Sequence, residues 1–569
     1  MHLNDALLGE ARVTPVATLH EQAAAIAAES YARVSGGLGV CMVTTGPGGT
    51  NAVTGCVGAW LDSSPVLFLS GQVKRADSAV GTGLRQFGVQ EVDIVSIVSS
   101  CTKYAVRVTD PADLRREVER AIACALSGRR GPAWIDIPLD VQGARVDPAS
   151  LAPWTEPSPS APRPREVLAA EVADALAALR SARRPVIIAG NGVRLAGAVE
   201  EFAAFVDRVG APALFTWLGL DLLPDDHPLV IGRPGSIAPR AANFTLQNAD
   251  LIVSLGARLD MAMTGYAHER FARDARKVIV DIDPAEIAKL KMTHVTGVEA
   301  DAGEFLREAL GQLRAAPEAT HGAWVARCAE WKQRYPLVPP AQRALPERVS
   351  TYHFSEVLSE ELAEGDIVAP GSSGAGLEIF LLCFKVKRGQ RVFHNRGLGA
   401  MGYGPPSALG ACIASGGRRT VCVDGDGGFQ MNVQELQTVS RLGLPIKFFV
   451  LSNEGYASIR SSQSNHFGRL VGADATSGLT LPPLDKIADA YGIPYARIER
   501  GDTLRDDVRR VLEAEGPVLC EVLTPASEPR MPSLRSERRP DGSMESKPLE
   551  DLWPFLDREE LQQNMRVEP

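Results

Sequence analysis

The chain has 569 residues, too many for one hydrophobic core, and its length alone implies three or four domains. At 45% hydrophobic and 23% charged residues, the composition is that of an ordinary soluble globular protein. The net charge is −9 with scattered basic residues, and no apolar run reaches the ~18 residues of a bilayer span. Neither nucleic acid nor membrane is therefore an expected partner.

The first residues, Met1-His2-Leu3-Asn4-Asp5, lack the basic region and apolar core of a signal peptide. Nine cysteines show no Cys-x-x-Cys spacing, and most sit in apolar runs such as Val421-Cys422-Val423. They read as buried, reduced thiols of a cytoplasmic protein. Two proline-rich stretches, 152–165 and 335–349, divide the chain into segments 1–150, 166–334 and 350–525, followed by a tail over 526–569.

Each segment alternates short β-branched runs with longer amphipathic stretches, the pattern of doubly wound parallel α/β sheets. Strands are expected at 39–44, 65–70 and 133–137 in the first segment, and at 185–189, 251–255 and 277–281 in the second. In the third they are expected at 366–368, 420–423, 446–451 and 518–522. The tail is rich in Pro, Arg, Ser and Glu around an apolar patch at Leu552-Trp553-Pro554-Phe555-Leu556. It reads either as a solvated tail or as a strap over an active site.

The most informative stretch runs from Arg419 to Ile459. A strand ends at Gly425-Asp426-Gly427, a helix is expected from near Met431, and a second strand ends at Ser452-Asn453-Glu454-Gly455. The 25 residues between Gly427 and Asn453 span one helix and one strand. That length returns Asn453 to the sheet edge holding Asp426, where ligands of open α/β sheets bind. A carboxylate, an amide oxygen and the main chain at Gly455 suit magnesium, which prefers oxygen ligands. Gly425, Gly427 and Gly428 let the backbone approach a diphosphate, and the following helix N-terminus favours the anion. Alone, such a Gly-Asp-Gly is equally a generic strand–turn–helix or dinucleotide loop.

Here the sequence resembles the thiamine-diphosphate (ThDP) dependent enzyme superfamily, and specifically the acetolactate (acetohydroxyacid) synthase family. Further family-like stretches are HEQAAAIAAESYAR (20–33), TTGPGGTNAVTG (44–55), GPAWIDIPLDVQ (131–142), RRPVIIAGNGVRLAG (183–197) and NRGLGAMGYGPPSALGA (395–411). The resemblance implies pyrimidine-binding, central FAD/Rossmann-like and diphosphate-binding domains, in that order.

In this family ThDP carries the carbanion chemistry, while the protein orients it and handles protons. The resemblance makes Glu21 the carboxylate against the aminopyrimidine; unaided, a Glu at a helix start reads as a surface or capping residue. It makes Met401 the wedge that bends the cofactor, and Gln90 a glutamine near the reacting centre. Pro47, Gly48, Ser372, Ser373 and Gly399 would line the cofactor, with Asp426, Asn453 and Gly455 holding magnesium. Gly190, Gly192, Thr216, Leu218, Arg258, Asp281 and Asp301 match flavin-binding positions, so a structural FAD is expected. The family's active sites lie between subunits, which implies a homodimer or homotetramer.

Four departures bear on function. Where the family carries an arginine facing flavin and acceptor, this chain has Ala262, which offers a carboxylate nothing in place of a guanidinium. Where it carries a tryptophan shaping the acceptor pocket, this chain has Ser462. Its Gly-Gln-His-Gln segment is replaced by Ser372-Ser373-Gly374-Ala375. Finally, about 25–30 residues of the family pattern precede the position of Met1. A start upstream of Met1, or a first sheet with an exposed seam, is expected on that account.

The leading reading is a carboligase with a 2-oxo acid donor, pyruvate above all, and an acceptor carbonyl other than a second small 2-oxo acid, such as a keto-sugar. A conventional acetolactate synthase, a ThDP decarboxylase, lyase or hydrolase, and a non-catalytic degenerate homologue stand as alternatives.

Overall fold

Short runs of Val, Ile, Leu and Ala, buried on both faces, become the strands of three parallel sheets. The computed structural model describes residues 1–156, 163–313, 321–345, 347–372, 374–539, 541 and 544–566. The first sheet contains β1 (Gly39–Val43), β2 (Val66–Gln72), β3 (Tyr104–Arg107) and β4 (Ala133–Pro138). Their order is β1-β2-β4-β3, with no gap inside the sheet; β1 and β3 form its open edges.

The central sheet contains β5 (Pro185–Ala189), β6 (Ala213–Phe215), β7 (Val230–Gly232), β8 (Leu251–Leu255), β9 (Arg276–Asp281) and β10 (Val295–Glu299), in the order β10-β9-β8-β5-β6-β7. The third contains β11 (Ile367–Val368), β12 (Arg391–Val392), β13 (Thr420–Gly425), β14 (Ile446–Ser452), β15 (Tyr495–Ile498) and β16 (Val518–Leu523), in the order β12-β11-β13-β14-β16-β15. A small antiparallel hairpin, β17 (Ser536–Arg538) and β18 (Met544–Ser546), lies in the tail. The architecture is three parallel α/β sheets, as the patterning predicts.

All ten expected strands are present, two of them, β5 and β8, with the expected ends. The unexpected strands include β10 and β15, edge strands that expose at least half of their residues, and short ones such as β6 and β12 of three and two residues. Exposure or brevity leaves too little apolar signal to stand out in a sequence.

Within the stretch 335–349, Pro340–Arg343 forms a helical turn, because Pro is well placed at a helix start. Much of the described tail packs on the rest of the protein. Glu528 accepts hydrogen bonds from Ser350 Oγ (2.5 Å) and Thr351 N (2.9 Å), and Tyr352 Oη donates to the carbonyl of Pro529 (2.7 Å). Ser533 bridges to Ile237 and Trp553, and Leu549 and Leu552 are buried. The tail then ends in a helix, Arg558–Met565, on the central domain.

The first and third sheets are joined by two helices. Helix Glu21–Ser35 packs on helix Gly404–Ala414 so closely that a Cβ at Gly410 would lie 2.1 Å from the Ala27 carbonyl oxygen. All nine cysteines are free, eight of them buried.

Candidate active site

The apolar strand β13 delivers Asp426 to the carboxyl edge of the third sheet, and β14 delivers Asn453 beside it. Asp426 Oδ1 accepts the N–H of Gly427 (2.8 Å), while Oδ2 accepts those of Asn453 (3.0 Å) and Gly455 (3.2 Å). The carboxylate is buried, and burial pushes its pKa up to about 6 against the pull of these donors. The side-chain oxygen of Asn453 is also buried, without a hydrogen-bond partner among the described residues. A carboxylate reluctant to ionise beside an unsatisfied amide oxygen is a site that a hard cation would satisfy.

The helix expected near Met431 begins earlier and is broken. Asp426–Phe429 forms one turn, Gln430–Asn432 a tighter one, and Glu435–Leu442 the helix proper. Fully buried Phe429 anchors the first turn, and Asn432 Nδ2 is drawn aside to the Gly402 carbonyl (2.8 Å). A Cβ at Gly427 would lie 2.3 Å from the Tyr456 ring, so that glycine is required by packing within the protein. Gly425, by contrast, has open space where its Cβ would be, and Gly428 backs onto Asp424.

On the first sheet, Glu21 opens the helix that runs to Ser35, with His20 as its cap: His20 Nδ1 accepts the Gln22 N–H (3.1 Å). Asn51, on the helix Pro47–Leu61, donates to Glu21 Oε2 (3.0 Å), leaving Oε1 for a ligand. Pro47 is that helix's first residue and Gly48 is buried behind it. Gly46 turns the chain with φ +66°, and its missing Cβ leaves room for the Gln90 carbonyl oxygen, which a Cβ would approach to 2.3 Å. Gln90 itself has φ +62° and is exposed. The structure thus brings Gln90 to the Gly46–Gly48 turn.

Glu21 and Asp426 share no hydrogen bond within one chain. Their surroundings are tied through Glu435, wholly buried, whose Oε1 accepts the N–H groups of Leu19 (3.0 Å) and His20 (3.1 Å). On the third sheet, Ser372 Oγ accepts the Asn395 N–H (2.8 Å), which fastens the loop carrying Gly399 and Met401. Asn395 folds that loop further, its Oδ1 accepting from Gly399 N (3.2 Å). Ser373 lies outside the described residues.

A second concavity, a cleft of about 1250 Å³ open to solvent, lies where the central sheet meets the other two. Gly192, Thr216, Leu218, Arg258, Asp281 and Asp301 all line it, as does Ala262. Gly190 does not; it packs against the next strand end, where a Cβ would meet the Gly256 carbonyl oxygen at 2.4 Å. Arg129 closes one side, paired with Asp283 (2.7 Å) and Glu286 (2.9 Å). Ser462 is elsewhere, exposed on the helix Ala457–Phe467, none of whose residues is buried.

Sequence reasoning missed Asn51, Glu435 and the loop residue Arg396, which also lines the cleft. For Glu435 a signal existed: it shares a helix face with Leu436 and Val439, both buried.

Three stretches of the chain match the thiamine pyrophosphate enzyme domains: residues 1–97 the N-terminal TPP binding domain, 172–309 the central domain and 376–522 the C-terminal TPP binding domain. Among curated proteins, the chain is 34% identical over 525 residues to acetolactate synthase 2, chloroplastic, of Zea mays, covering 91% of this chain and 80% of that one. It is likewise 34% identical over 523 residues to the acetolactate synthase large subunit of Parasynechococcus marenigrum, covering 90% and 81%. Acetolactate synthase 3, chloroplastic, of Brassica napus is 32% identical over 543 residues, covering 94% and 81%. The order of the three domains and the span of these likenesses agree with the geometry at Asp426, and the chain belongs to the ThDP-dependent, acetolactate synthase-like enzymes, which are transferases.

Proposed function

We propose that the protein is a carboligase that decarboxylates a 2-oxo acid, pyruvate above all, and transfers the acyl unit to a carbonyl acceptor other than a second small 2-oxo acid, such as a keto-sugar. The observation that carries the acceptor claim is Ala262, a neutral methyl group in the cleft wall, where the family pattern places a carboxylate-binding arginine. Losing such a buried charged contact costs about 2–5 kcal/mol. Ser462, where the family pattern has an indole, lies on an exposed helix off the lining of this cleft and does not enter the claim.

Magnesium fits the residues present: Asp426, the unsatisfied amide oxygen of Asn453 and the main chain at Gly455 form an all-oxygen donor set. A structural FAD fits the cleft, with Thr216, Leu218, Arg258, Asp281 and Asp301 as its contacts. When bound, ThDP supplies a carbon nucleophile and a sink for the electron pair left by decarboxylation. The chain's own work is orientation and proton handling. With ThDP bound, Glu21 would exchange a proton with the cofactor's aminopyrimidine through Oε1, while Asn51 holds Oε2 and so the rotamer. Met401 would support the cofactor from the loop fastened by Ser372, and Gln90 would flank the reacting centre. Exposed apolar groups on the segment next to Gln90, such as Phe87 (62%) and Val89 (87%), support burial between subunits of a homodimer or homotetramer.

The competing reading is a conventional acetolactate synthase, favoured by the names of the curated relatives. Pyruvate consumption with ThDP and magnesium separates the two, with product masses taken in the presence and absence of a keto-sugar. Turnover that depends on the keto-sugar is expected. Acetolactate from pyruvate alone, or equal rates with 2-oxobutyrate and keto-sugar, would establish the competing reading.

A further inference from the structure

Four arginines line the cleft, and among the described residues they differ in what holds their guanidinium groups. Arg129 is ion-paired with Asp283 and Glu286, Arg130 Nη1 donates to the Gly36 carbonyl (3.1 Å), and Arg258 Nη1 donates to the Leu61 carbonyl (2.8 Å). Arg396 is different: its guanidinium enters no ion pair and donates no hydrogen bond among the described residues, and it lines the cleft with its carbon 4.6 Å from the Trp217 ring centroid. Stacking of that kind holds a guanidinium's plane while leaving its edge N–H groups free for a bidentate anion.

The loop presenting Arg396 is firmly held. Asp62 accepts the N–H of Arg396 at Oδ2 (2.9 Å) and that of Gly397 at Oδ1 (2.8 Å), and its remaining strength is spent on Arg33 (2.8 Å). Asp62 therefore anchors the loop backbone without neutralising the side chain. The carboxylate of Glu378, another group on the cleft, is already paired with Arg530 of the tail. A second polar side chain with unmet hydrogen-bonding capacity adjoins the same indole: His394 is buried, neither ring nitrogen has a hydrogen-bond partner among the described residues, and its ring centroid lies 6.1 Å from that of Trp217.

We propose that Arg396, stacked on Trp217, is the specificity residue that binds an anionic group of the acceptor, a phosphate or a carboxylate remote from the reacting carbonyl. This rests on the carboligase reading and deepens it. Ala262 puts a neutral methyl group where the family pattern has an arginine, so a carboxylate adjoining the carbonyl finds no guanidinium at that position, whereas Arg396 offers one from the third domain. The acceptor selected is then a carbonyl compound with a distal anion, such as a phosphorylated keto-sugar.

The test is calorimetric titration of the protein loaded with ThDP, magnesium and FAD, using dihydroxyacetone phosphate, neutral dihydroxyacetone and succinate semialdehyde. In Arg396→Gln the affinity for an anionic probe should fall tenfold or more, with dihydroxyacetone unchanged and Arg396→Lys restoring part of the loss. Loss confined to dihydroxyacetone phosphate assigns the anion to a phosphate; loss confined to succinate semialdehyde assigns it to a carboxylate. Failure of the natural chain to bind either anion, an unchanged affinity in Arg396→Gln, or an equal loss for the neutral probe overturns the proposal. So does a fall in FAD affinity, read by flavin fluorescence, since the arginine would then serve a flavin diphosphate. Because binding is read directly, a protein that binds the anion but consumes no pyruvate would refute the carboligase reading alone.

Discussion

Glu21 and Asp426 illustrate how single carboxylates acquire different work from their surroundings. Glu21 is half-exposed and keeps one oxygen free beside Asn51, whereas Asp426 is buried under main-chain donors. Glu21→Gln should lower kcat by a factor of about 100 or more while ThDP still binds, because only the proton-handling group is lost. Asp426→Ala should instead abolish magnesium-dependent ThDP binding, measured by calorimetry with and without the metal. His394 predicts a pH effect on stability. Burial, then Arg396 and Arg33, holds its imidazole well below the ordinary value of 6.5. As the pH falls below 6.5 the unfolded chain takes up a proton that the folded chain refuses, so stability falls on acidification. By pH 5 the loss attributable to this residue is at most about 2 kcal/mol, the free energy of the proton taken up by the unfolded chain alone. Urea midpoints at pH 7 and 5 should therefore converge in His394→Asn relative to the natural chain.

At the scale of elements, the helix pair Glu21–Ser35 and Gly404–Ala414 sets how the first sheet meets the third. Gly410 lets the backbones touch, and Gly410→Ala would force its Cβ against the Ala27 carbonyl. Overpacking of this kind costs about 1–3 kcal/mol, which a lowered thermal midpoint would reveal. The tail's last helix is held by a buried polar junction. Asn564 Oδ1 accepts from Trp331 Nε1 (2.9 Å), and its Nδ2 donates to Tyr335 Oη (2.7 Å). Asn564→Ala leaves the Trp331 N–H unsatisfied, although Tyr335 Oη keeps its bond to Glu560 (2.7 Å), and should destabilise the protein by roughly 1–3 kcal/mol, with the tail becoming the first site of limited proteolysis.

At the scale of the whole molecule, the tail crosses from the third domain to the central one beside the cleft mouth, touching Glu378 and Ile237, both on its lining. The exposed apolar groups near Gln90 lie on the side of the first sheet that carries the Gly46–Gly48 turn. A homodimer or homotetramer is the expected state, and light scattering coupled to size exclusion at micromolar protein checks it; a monomer that turns over substrate would show that one chain completes the site.

The sequence by itself determined the three parallel sheets, the family and the Asp426–Asn453 edge, because each rests on local pattern. A buried strand is a short apolar run, and a strand–turn–helix–strand returns to the same edge by its length. The broken start of the helix after Asp426 was not legible, since Gly-rich sequence gives no periodicity and the turn is held by the packing of Phe429. Nor was the company of each site residue. Asn51 lies 30 positions from Glu21, and Glu435 lies 416 from Leu19. The place of the tail, Asp62's grip on the loop and Arg396's freedom on Trp217 were likewise decided only by tertiary structure. Which polar groups meet across domains depends on how whole faces pack, and no local spacing encodes that.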